Sequence, residues 1–501
     1  MEYIEAQLHI IVIPLMSQSH LIPMIDLSKL LAQRGLIVTI IATPLNALRH
    51  KQTIDQAIHS GLQIKLVTLP FPSNEAGLPQ GCENLDSLPS PDLQSKFLIA
   101  SNLLQAPLES YLEKVGPRPS CIISSLPWTT DVAHKFDIPR FAYQGISCFT
   151  LLCSHMMVLH NVHEKINSDQ EPFLVPGVPD KIEFTNAQLP KMMRRCSPHQ
   201  GEDDGIDLKD IRDQFKEAQL SAQGLLVNTF EELELEYVKS YQKAVARNVL
   251  CIGPLSLFNK LERTNPSDKT TTVVEEHYCL RWLDAMKPRS VVYVCFGSLC
   301  HLMPKQLIEL GKGLEASNFP FIWVIRDVDY NNEEIMEWLI NDNFENKVHA
   351  KGLVIKGWAP QVPILSHPTI GGFLTHCGWN STLEGVSAGV PMITWPMFAE
   401  QFYNEKIIVQ VLKIGVRIGV EVTMQWGEEH NDGVYVNRET VKNAIDQIMD
   451  EGEKGQARRR RATQIGEKAK RAVQKDGSSY LNITSFIKHI KQLTSISLSQ
   501  L

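Results

Sequence analysis

The chain has 501 residues, more than a single hydrophobic core normally accommodates, so at least two domains are expected. Its 43% hydrophobic and 21% charged residues are ordinary for a globular protein. The net charge of -7 gives no electrostatic reason to bind nucleic acid or an anionic membrane surface, and neither is expected as a partner. An anionic ligand would therefore need a local binding site.

The N-terminal sequence MEYIEAQLHIIVIPLM has two glutamates before one short apolar run, whereas a secretory signal has a basic start and a longer apolar core. We therefore interpret this run as a first buried strand, and no apolar segment has membrane-spanning length. The ten cysteines are scattered, with no CxxC pair and no metal-like Cys/His cluster, as is typical of reduced thiols. A cytoplasmic protein is expected.

Strands and helices alternate in both halves of the chain. HIIVIPLM is predicted to be a strand, HLIPMIDLSKLLAQRG an amphipathic helix that ends at Gly35, and LIVTIIAT a second strand. The second half repeats this order with SVVYVCF, MPKQLIELGKGLEASN and FPFIWVIR. Continuous Val/Ile-rich runs alternating with helices predict parallel sheets covered on both faces. Each half is thus predicted to be a doubly wound, Rossmann-like α/β domain, with ligands in a cleft lined by the carboxyl ends of the strands.

The domain boundaries are predicted from a change in sequence character. FNKLERTNPSDKTTTVVEEH is polar and lacks periodicity, so a linker is predicted over residues 256–280. The N-terminal domain is then 1–255 and the C-terminal domain 281–480, followed by a last helix over 481–501. The basic run RRRR at residues 458–461 lies in a helical pattern with acidic neighbours, which favours a solvated helix face over a nucleic-acid patch.

The stretch GGFLTHCGWNSTLEG places polar residues between a predicted strand and a predicted helix that starts near Asn380 or Ser381. Exposed backbone N–H groups and the positive end of the helix dipole make such a start a phosphate site. Two other interpretations stay open from these residues alone. STLE also fits a capping box, in which Ser381 and Glu384 only satisfy backbone donors. His376 by itself also fits a structural histidine.

The longer phrase WAPQVPILSHPTIGGFLTHCGWNSTLEGVSAGVPMITWPMFAEQ, from Trp358 to Gln401, resembles the 44-residue signature of plant family 1 UDP-sugar-dependent glycosyltransferases almost letter for letter. The resemblance extends along most of the chain and is closest to the subgroup that acts on triterpenoids, steroids and flavonoids. It implies a GT-B fold, in which two doubly wound domains face a cleft and the C-terminal helix returns to the N-terminal domain.

The resemblance also implies a donor site in the second half of the chain. Trp358 would stack on the uracil ring, and the backbone of Ala359 would bind the edge of the base. Gln361 and Glu384 would hold the ribose hydroxyls, since a carboxylate accepts two O–H groups well.

Further residues of the same implied site would contact the diphosphate and the sugar. The diphosphate would be surrounded by His376, Asn380, Ser381 and Ser298. The sugar hydroxyls would be contacted by Trp379, Glu400 and Gln401. In this family a glutamine at the last signature position accompanies UDP-glucose in most members, and a histidine accompanies UDP-galactose.

Neither a cofactor nor a metal ion is expected. In the implied scheme the helix start and His376 stabilise the charge on the departing UDP, and no DxD-type metal motif lies near the signature. The loop PLMSQSHLIPM after the first strand has no glycine, unlike the GxGxxG of nicotinamide and flavin enzymes, and no P-loop motif is present.

His20 matches the family's catalytic histidine, the general base that removes the acceptor proton. Ser19 precedes it, where the family more often has glycine. The aspartate that orients this histidine in relatives is missing. CIISSLPW continues from Ser124 and Ser125 as though two residues including that aspartate had been dropped. Asp131, one turn into the next predicted helix, is the candidate substitute.

The acceptor pocket is predicted to be apolar and to include Phe141, Tyr143 and Phe149, which fit the core of the fold equally well. The predicted function is inverting O-glucosyl transfer from UDP-glucose to a hydroxyl of a hydrophobic plant metabolite, by a monomer. The alternatives are the same fold with another UDP-sugar, and a catalytically weak binder of UDP-sugar and aglycone that lacks the orienting aspartate.

Overall fold

The computed structural model describes residues 7–162, 166, 168–190, 193–194, 208–258, 272–424 and 435–499. Contacts between residues divide the chain into two units, neither of which is one continuous stretch. Unit 1 comprises Met1–Cys148, Cys196–Arg263 and Ala472–Leu501, and unit 2 comprises Phe149–Arg195 and Thr264–Arg471. The middle of the predicted linker, residues 259–271, lies outside the described residues.

The strands in chain order are β1 (His9–Ile13), β2 (Ile37–Ala42), β3 (Ile64–Thr68), β4 (Cys121–Ser124), β5 (Arg140–Gln144), β6 (Phe173–Leu174), β7 (Glu183–Phe184), β8 (Gly224–Val227), β9 (Val249–Cys251), β10 (Val291–Cys295), β11 (Phe321–Ile325), β12 (Gly352–Lys356), β13 (Ile370–Thr375), β14 (Met392–Thr394) and β15 (Gly415–Arg417). Unit 1 has the sheet β3-β2-β1-β4-β5-β8-β9, and unit 2 has the sheet β12-β11-β10-β13-β14-β15. The short strands β6 and β7 form an antiparallel pair within unit 2.

The α-helices are α1 (Gln18–Gln33), α2 (Pro44–His59), α3 (Gln94–Asn102), α4 (Gln105–Leu112), α5 (Thr129–Lys135), α6 (Cys148–Leu159), α7 (Leu208–Ser221), α8 (Glu231–Val245), α9 (Leu255–Phe258), α10 (Thr272–Asp284), α11 (Pro304–Ser317), α12 (Asp327–Tyr330), α13 (Glu333–Asn341), α14 (Phe344–Val348), α15 (Gln361–Leu365), α16 (Trp379–Ala388), α17 (Gln401–Lys406), α18 (Arg438–Met449), α19 (Glu453–Val473) and α20 (Ser478–Ser499). A π-helical turn, Ile407–Val411, follows α17.

Both large sheets are parallel, because each strand is followed by a helix that crosses back over the sheet. β1 is buried along its whole length and pairs with β2 on one side and β4 on the other. β10 pairs in the same way with β11 and β13. Apolar runs buried on both faces are typical of parallel sheets with helices on each side. The predicted α/β class with two Rossmann-like units is confirmed.

The C-terminal helix α20 belongs to the core of unit 1. Ile483, Phe486 and Ile490 are fully buried in the same hydrophobic cluster as the β1 side chains. The rings of Phe141 and Phe486 form a T-shaped pair, with 4.9 Å between ring centroids. Such aromatic pairs stabilise a core beyond the area they bury. The α20 segment is thus part of the hydrophobic interior of unit 1.

The segment 149–195 differs from the predicted division, which assigned it to the N-terminal domain. Its contacts group it with unit 2. The ring of Phe184 packs on Tyr403 at 4.7 Å, and the Gln188 side chain donates to the Glu421 carboxylate at 2.8 Å. Sequence position alone does not reveal such contacts, because they join residues more than 200 positions apart.

Two further features bear on the classes of protein considered above. No helix among the described residues is both long and apolar enough to cross a membrane. The arginine run 458–461 lies on α19, where Arg458 and Arg461 donate to the backbone carbonyls of Gln447 and Lys413 at 2.8 and 2.9 Å. These arginines therefore tie α19 to neighbouring backbone.

Candidate functional site

The N-terminus of α16 lies at the carboxyl end of β13, as the sequence predicts for a phosphate site. Its N-cap is Gly378, which has no side chain with which to cap the helix. Ser381 therefore lies at the third helical position, where it cannot serve as the cap, and its hydroxyl accepts a hydrogen bond from Gln361 instead. The capping-box interpretation of STLE is therefore wrong.

The imidazole of His376 lies between two glycines at this helix start. A Cβ atom at Gly297 would be 2.7 Å from His376 Cε1, and one at Gly378 would be 2.3 Å from Nε2, so neither position accommodates a side chain. Burial lowers the pKa of His376 to about 4, which keeps the ring neutral. Its Nδ1 is buried and has no hydrogen-bond partner within the described part of the chain. A neutral ring with an unpaired nitrogen can donate to an anionic ligand.

Gln361, which follows β12, connects Tyr293 of β10 with Ser381 and Glu384 of α16. Its Nε2 donates to Glu384 Oε2 at 2.8 Å and to Ser381 Oγ at 3.0 Å. Its Oε1 accepts from the Tyr293 hydroxyl at 3.4 Å. Gln361 begins α15 and Glu384 lies on α16, so two helices hold the amide beside the carboxylate. The structure thus brings together the two residues predicted to bind ribose hydroxyls.

Trp358 and Ala359 precede α15 and differ sharply in exposure. The Trp358 side chain is 69% exposed, which is unusual for an indole and leaves it accessible to a planar ligand. Ala359 is buried and can present only its backbone to such a ligand. Exposed aromatic rings of this kind serve as stacking platforms for nucleobases.

The residues predicted to contact a sugar are occupied by contacts within the protein. The Trp379 side chain is buried, and its backbone N–H donates to Glu400 Oε1 at 3.3 Å. Burial raises the pKa of Glu400. Gln401 is buried too, and its Oε1 accepts from the backbone N–H groups of Met397 and Phe398 at 2.8 and 3.1 Å. Gln401 therefore stabilises the loop before α17 through these two hydrogen bonds.

Arg326, which the sequence analysis did not single out, fixes the predicted diphosphate residue Ser298. Its Nη1 donates to the Ser298 carbonyl at 2.8 Å, and its Nε donates to Asp329 at 2.9 Å. The Ser298 side chain itself is exposed. Arg326 directly follows β11, and its position at the carboxyl end of a strand was the signal that could have identified it.

In unit 1, His20 occupies the first turn of α1, the helix that follows β1. Burial lowers the pKa of His20 to about 4, so its ring is neutral near pH 7. Its Nδ1 is 3.2 Å from the hydroxyl of Ser19. Asp131, the candidate substitute for the missing aspartate, is exposed on α5 and forms no hydrogen bond or ion pair with His20 among the residues that the structure covers.

The shortened loop after β4 is closed by its own hydrogen bonds. The Ser124 hydroxyl donates to the Ile13 carbonyl at 2.8 Å and accepts from the Leu126 N–H at 3.1 Å. The buried guanidinium of Arg140 donates to the carbonyls of Ser124 and Leu126 at 3.4 and 3.3 Å. These hydrogen bonds hold the loop against β1 and Arg140.

The three aromatic residues predicted to line an acceptor pocket are in the interior. Phe141 and Tyr143 belong to the hydrophobic core of unit 1, and Phe149 is fully buried. Strand β5 carries Phe141 and Tyr143 on the sheet face that the last helix covers. This corrects the pocket assignment: sequence alone does not distinguish an apolar pocket wall from core.

Known proteins share this fold and these motifs. Residues 274–437 match the family model described as UDP-glucoronosyl and UDP-glucosyl transferase. The chain is 47% identical to UDP-glycosyltransferase 73C3 of Arabidopsis thaliana over 97% of each chain, and equally identical to UDP-glycosyltransferase 73C12 of Barbarea vulgaris at the same coverage. The crystal structure of Glycyrrhiza uralensis UGT73P12 with glycyrrhetinic acid 3-O-monoglucuronide superposes with a TM-score of 0.88 at 34% identity, covering 99% of this chain and 98% of that one.

The fold and the site define a GT-B glycosyltransferase. At these levels of identity and coverage, the chain belongs to the plant family 1 UDP-glycosyltransferases, enzymes that transfer a glycosyl group from a UDP-sugar to an acceptor.

Proposed function

We propose that this enzyme is an inverting O-glucosyltransferase that moves glucose from UDP-glucose to a hydroxyl group of a hydrophobic plant metabolite. The observation that carries the donor assignment is the cluster at the carboxyl ends of the unit 2 strands. There the neutral His376 precedes α16, the Gln361–Glu384 pair joins α15 to α16, and the exposed Trp358 ring lies just before α15.

The parts of UDP fit this cluster by their chemistry. The indole of Trp358 stacks on uracil, the Glu384 carboxylate accepts from ribose hydroxyls, and the N–H groups at the start of α16 donate to the diphosphate. The unpaired Nδ1 of His376 supplies one more donor. As UDP departs, these donors stabilise its growing negative charge. We therefore propose that transfer needs no metal ion.

Glucose is the proposed sugar because a glutamine ends the signature at position 401. A second candidate is glucuronic acid, since the Glycyrrhiza relative was crystallised with a glucuronide. The glycyrrhetinic acid in that complex also supports a triterpenoid among the acceptor classes, beside steroids and flavonoids.

The proposed base is His20. Its Nε2 takes the proton of the acceptor hydroxyl as the acceptor oxygen forms a bond to C1 of the sugar. The bond from C1 to the diphosphate oxygen breaks, and its electron pair leaves with UDP. Because the attack comes from the face opposite UDP, the configuration at C1 inverts. The low pKa of His20 makes it a weak base, so acceptors with acidic hydroxyls should react best.

The test is a donor and acceptor screen with the full chain. UDP-glucose, UDP-galactose and UDP-glucuronic acid are each offered with triterpenoid, steroid and flavonoid alcohols and phenols, and products are detected by mass spectrometry. We expect β-glucosides with UDP-glucose, at rates unchanged by EDTA. A preference for another donor would replace the sugar assignment. UDP binding in calorimetry without turnover on any acceptor would instead support the catalytically weak binder.

Two further proposals concern the oligomeric state and the cellular location of the enzyme. We propose a monomer, which size-exclusion chromatography with light scattering would test. A cytoplasmic location is proposed from the cysteines, since the nine that the structure describes are all free thiols.

A further inference from the structure

Two serine hydroxyls form a short chain that ends at the ring of His20. Ser17 Oγ lies 2.8 Å from Ser19 Oγ, and Ser19 Oγ lies 3.2 Å from His20 Nδ1. Ser17 is 2% exposed, whereas Ser19 is exposed at the surface of unit 1. The inner serine is therefore fixed by its surroundings, and the outer one connects it to the histidine.

The direction of the Ser17 hydroxyl is unusual for its position. Ser17 is the N-cap of α1, where a serine side chain ordinarily accepts from a backbone N–H two or three residues later. Here the side chain makes no such bond, and its hydroxyl is paired with Ser19. The Ser17 carbonyl still accepts from the N–H groups of His20 and Leu21 at 2.9 and 2.8 Å, so the helix start remains ordered.

We propose that Ser19 is a positioning residue for His20 and that it takes over, through its hydroxyl, the orienting role of the carboxylate that this chain lacks. This inference rests on the proposed role of His20 as the general base. Nδ1–H of the neutral ring donates to Ser19 Oγ, and the Ser19 hydroxyl donates in turn to Ser17 Oγ. The ring is thereby held in the tautomer whose Nε2 is unprotonated and can accept the acceptor proton.

Ser124 and Asp131, two residues near the predicted position of the aspartate, make no hydrogen bond to His20 in the described part of the chain. The Ser124 hydroxyl, on the strand beside β1, is engaged with the Ile13 carbonyl and the Leu126 N–H. Asp131 is exposed on α5 and makes no contact with His20 in the described part of the chain. A glycine at position 19, the residue more common in the family, would have no hydroxyl to offer.

A hydroxyl and a carboxylate differ in what they do for the base. Both accept from Nδ1–H and select the tautomer, but only the carboxylate stabilises the positive charge on the ring after proton transfer. The serine pair should therefore support transfer to phenols, which release a proton readily, much better than transfer to aliphatic alcohols. This acceptor preference follows because the serine orients the ring without stabilising the charge that the ring gains.

The test compares Ser19→Ala, Ser19→Gly and Ser19→Thr in the full chain. The control is Ser60→Ala, which removes a unit 1 hydroxyl at the end of α2 that donates to the Ala57 carbonyl. For the alanine and glycine variants we expect kcat on an aliphatic alcohol to fall roughly tenfold or more, within the range of a general base, while KM for UDP-glucose stays unchanged. The threonine variant and the control should stay close to wild type.

A second readout does not depend on turnover. The ¹⁵N chemical shifts of His20 report its tautomer, and we expect protonated Nδ1 in the wild type and a mixed population in Ser19→Ala. An unchanged tautomer, or wild-type kcat in both Ser19→Ala and Ser19→Gly, would overturn the proposal. His20→Ala distinguishes the role of His20 as the base from the role of Ser19 in positioning it. If it keeps full activity, the base assignment fails; if it is inactive while Ser19→Ala is unimpaired, only the role of Ser19 fails.

Discussion

Glu384→Gln separates the proposed ribose contact from a purely structural role of this carboxylate. The change removes the negative charge but keeps the shape of the side chain and one acceptor oxygen. The hydrogen bond from Gln361 Nε2, 2.8 Å long, can therefore persist with the new amide oxygen as acceptor. The start of α16 has Gly378 as its N-cap, and its first N–H, that of Trp379, donates to the Glu400 carboxylate. The cost to the free energy of unfolding should stay below about 1 kcal/mol.

The loss in binding should be larger than the loss in stability. A hydrogen bond to a charged group contributes about 1.5–3 kcal/mol, and each 1.4 kcal/mol changes a dissociation constant about tenfold. The Kd of UDP should therefore rise by roughly 10- to 150-fold. Calorimetric titration with UDP measures this change, and thermal denaturation measures the stability. Glu467→Gln, at an exposed carboxylate on α19, is the matched control and should alter neither value.

The opposite pattern would refute this reasoning. If Glu384→Gln binds UDP with wild-type affinity but melts at a lower temperature, the carboxylate serves the fold and the ribose assignment is wrong. Gln361→Ala provides a second check, since it removes the amide that holds the carboxylate in place. Gln361→Ala should also weaken UDP binding. The effect should be smaller than that of Glu384→Gln, because the neutral amide contributes less to ribose binding than the carboxylate.

Three further predictions follow from the same geometry. Trp358→Ala should weaken UDP binding by about 1–3 kcal/mol, which is the contribution of a base stacked on an aromatic ring. The melting temperature should stay unchanged, because the ring is 69% exposed. A loss of stability without a loss of UDP affinity would contradict this. Gln401→Ala should lower the rate of glucose transfer more than it lowers UDP affinity. It should also lower the melting temperature, since the backbone N–H groups of Met397 and Phe398 lose their acceptor. Equal losses of transfer and of UDP affinity would indicate a structural role alone. The pKa values of His20 and His376 are lowered to about 4 in the folded state, so the unfolded chain takes up protons first on acidification. The folded state is therefore stabilised by these two histidines above pH 6.5, and this stabilisation is lost as the pH falls towards 4. The urea concentration at the unfolding midpoint should decrease between pH 7 and 5, and it should decrease less in His20→Gln. A midpoint that does not change with pH would contradict these pKa shifts.

The order of elements and the position of the proposed donor cluster could be predicted from the sequence. Apolar runs such as HIIVI and VVYVC indicate buried parallel strands, because a strand covered on both faces must be apolar at every position. The residues after such strands lie together at one edge of the sheet, and this brings Gln361 and Glu384 into contact.

Only the tertiary structure decided which way the side chains of these elements point and what they touch. Trp379 and Gln401 lie within the signature and each begins a helix, yet both side chains are buried. Phe141 lies beneath the last helix of the chain, a contact between residues more than 300 positions apart. The hydroxyl pair next to His20 depends on side-chain rotamers at the N-terminus of α1. The periodicity of a sequence indicates which residues tend to avoid water. Which residues each side chain contacts, and how deeply it is buried, are set by packing between distant segments.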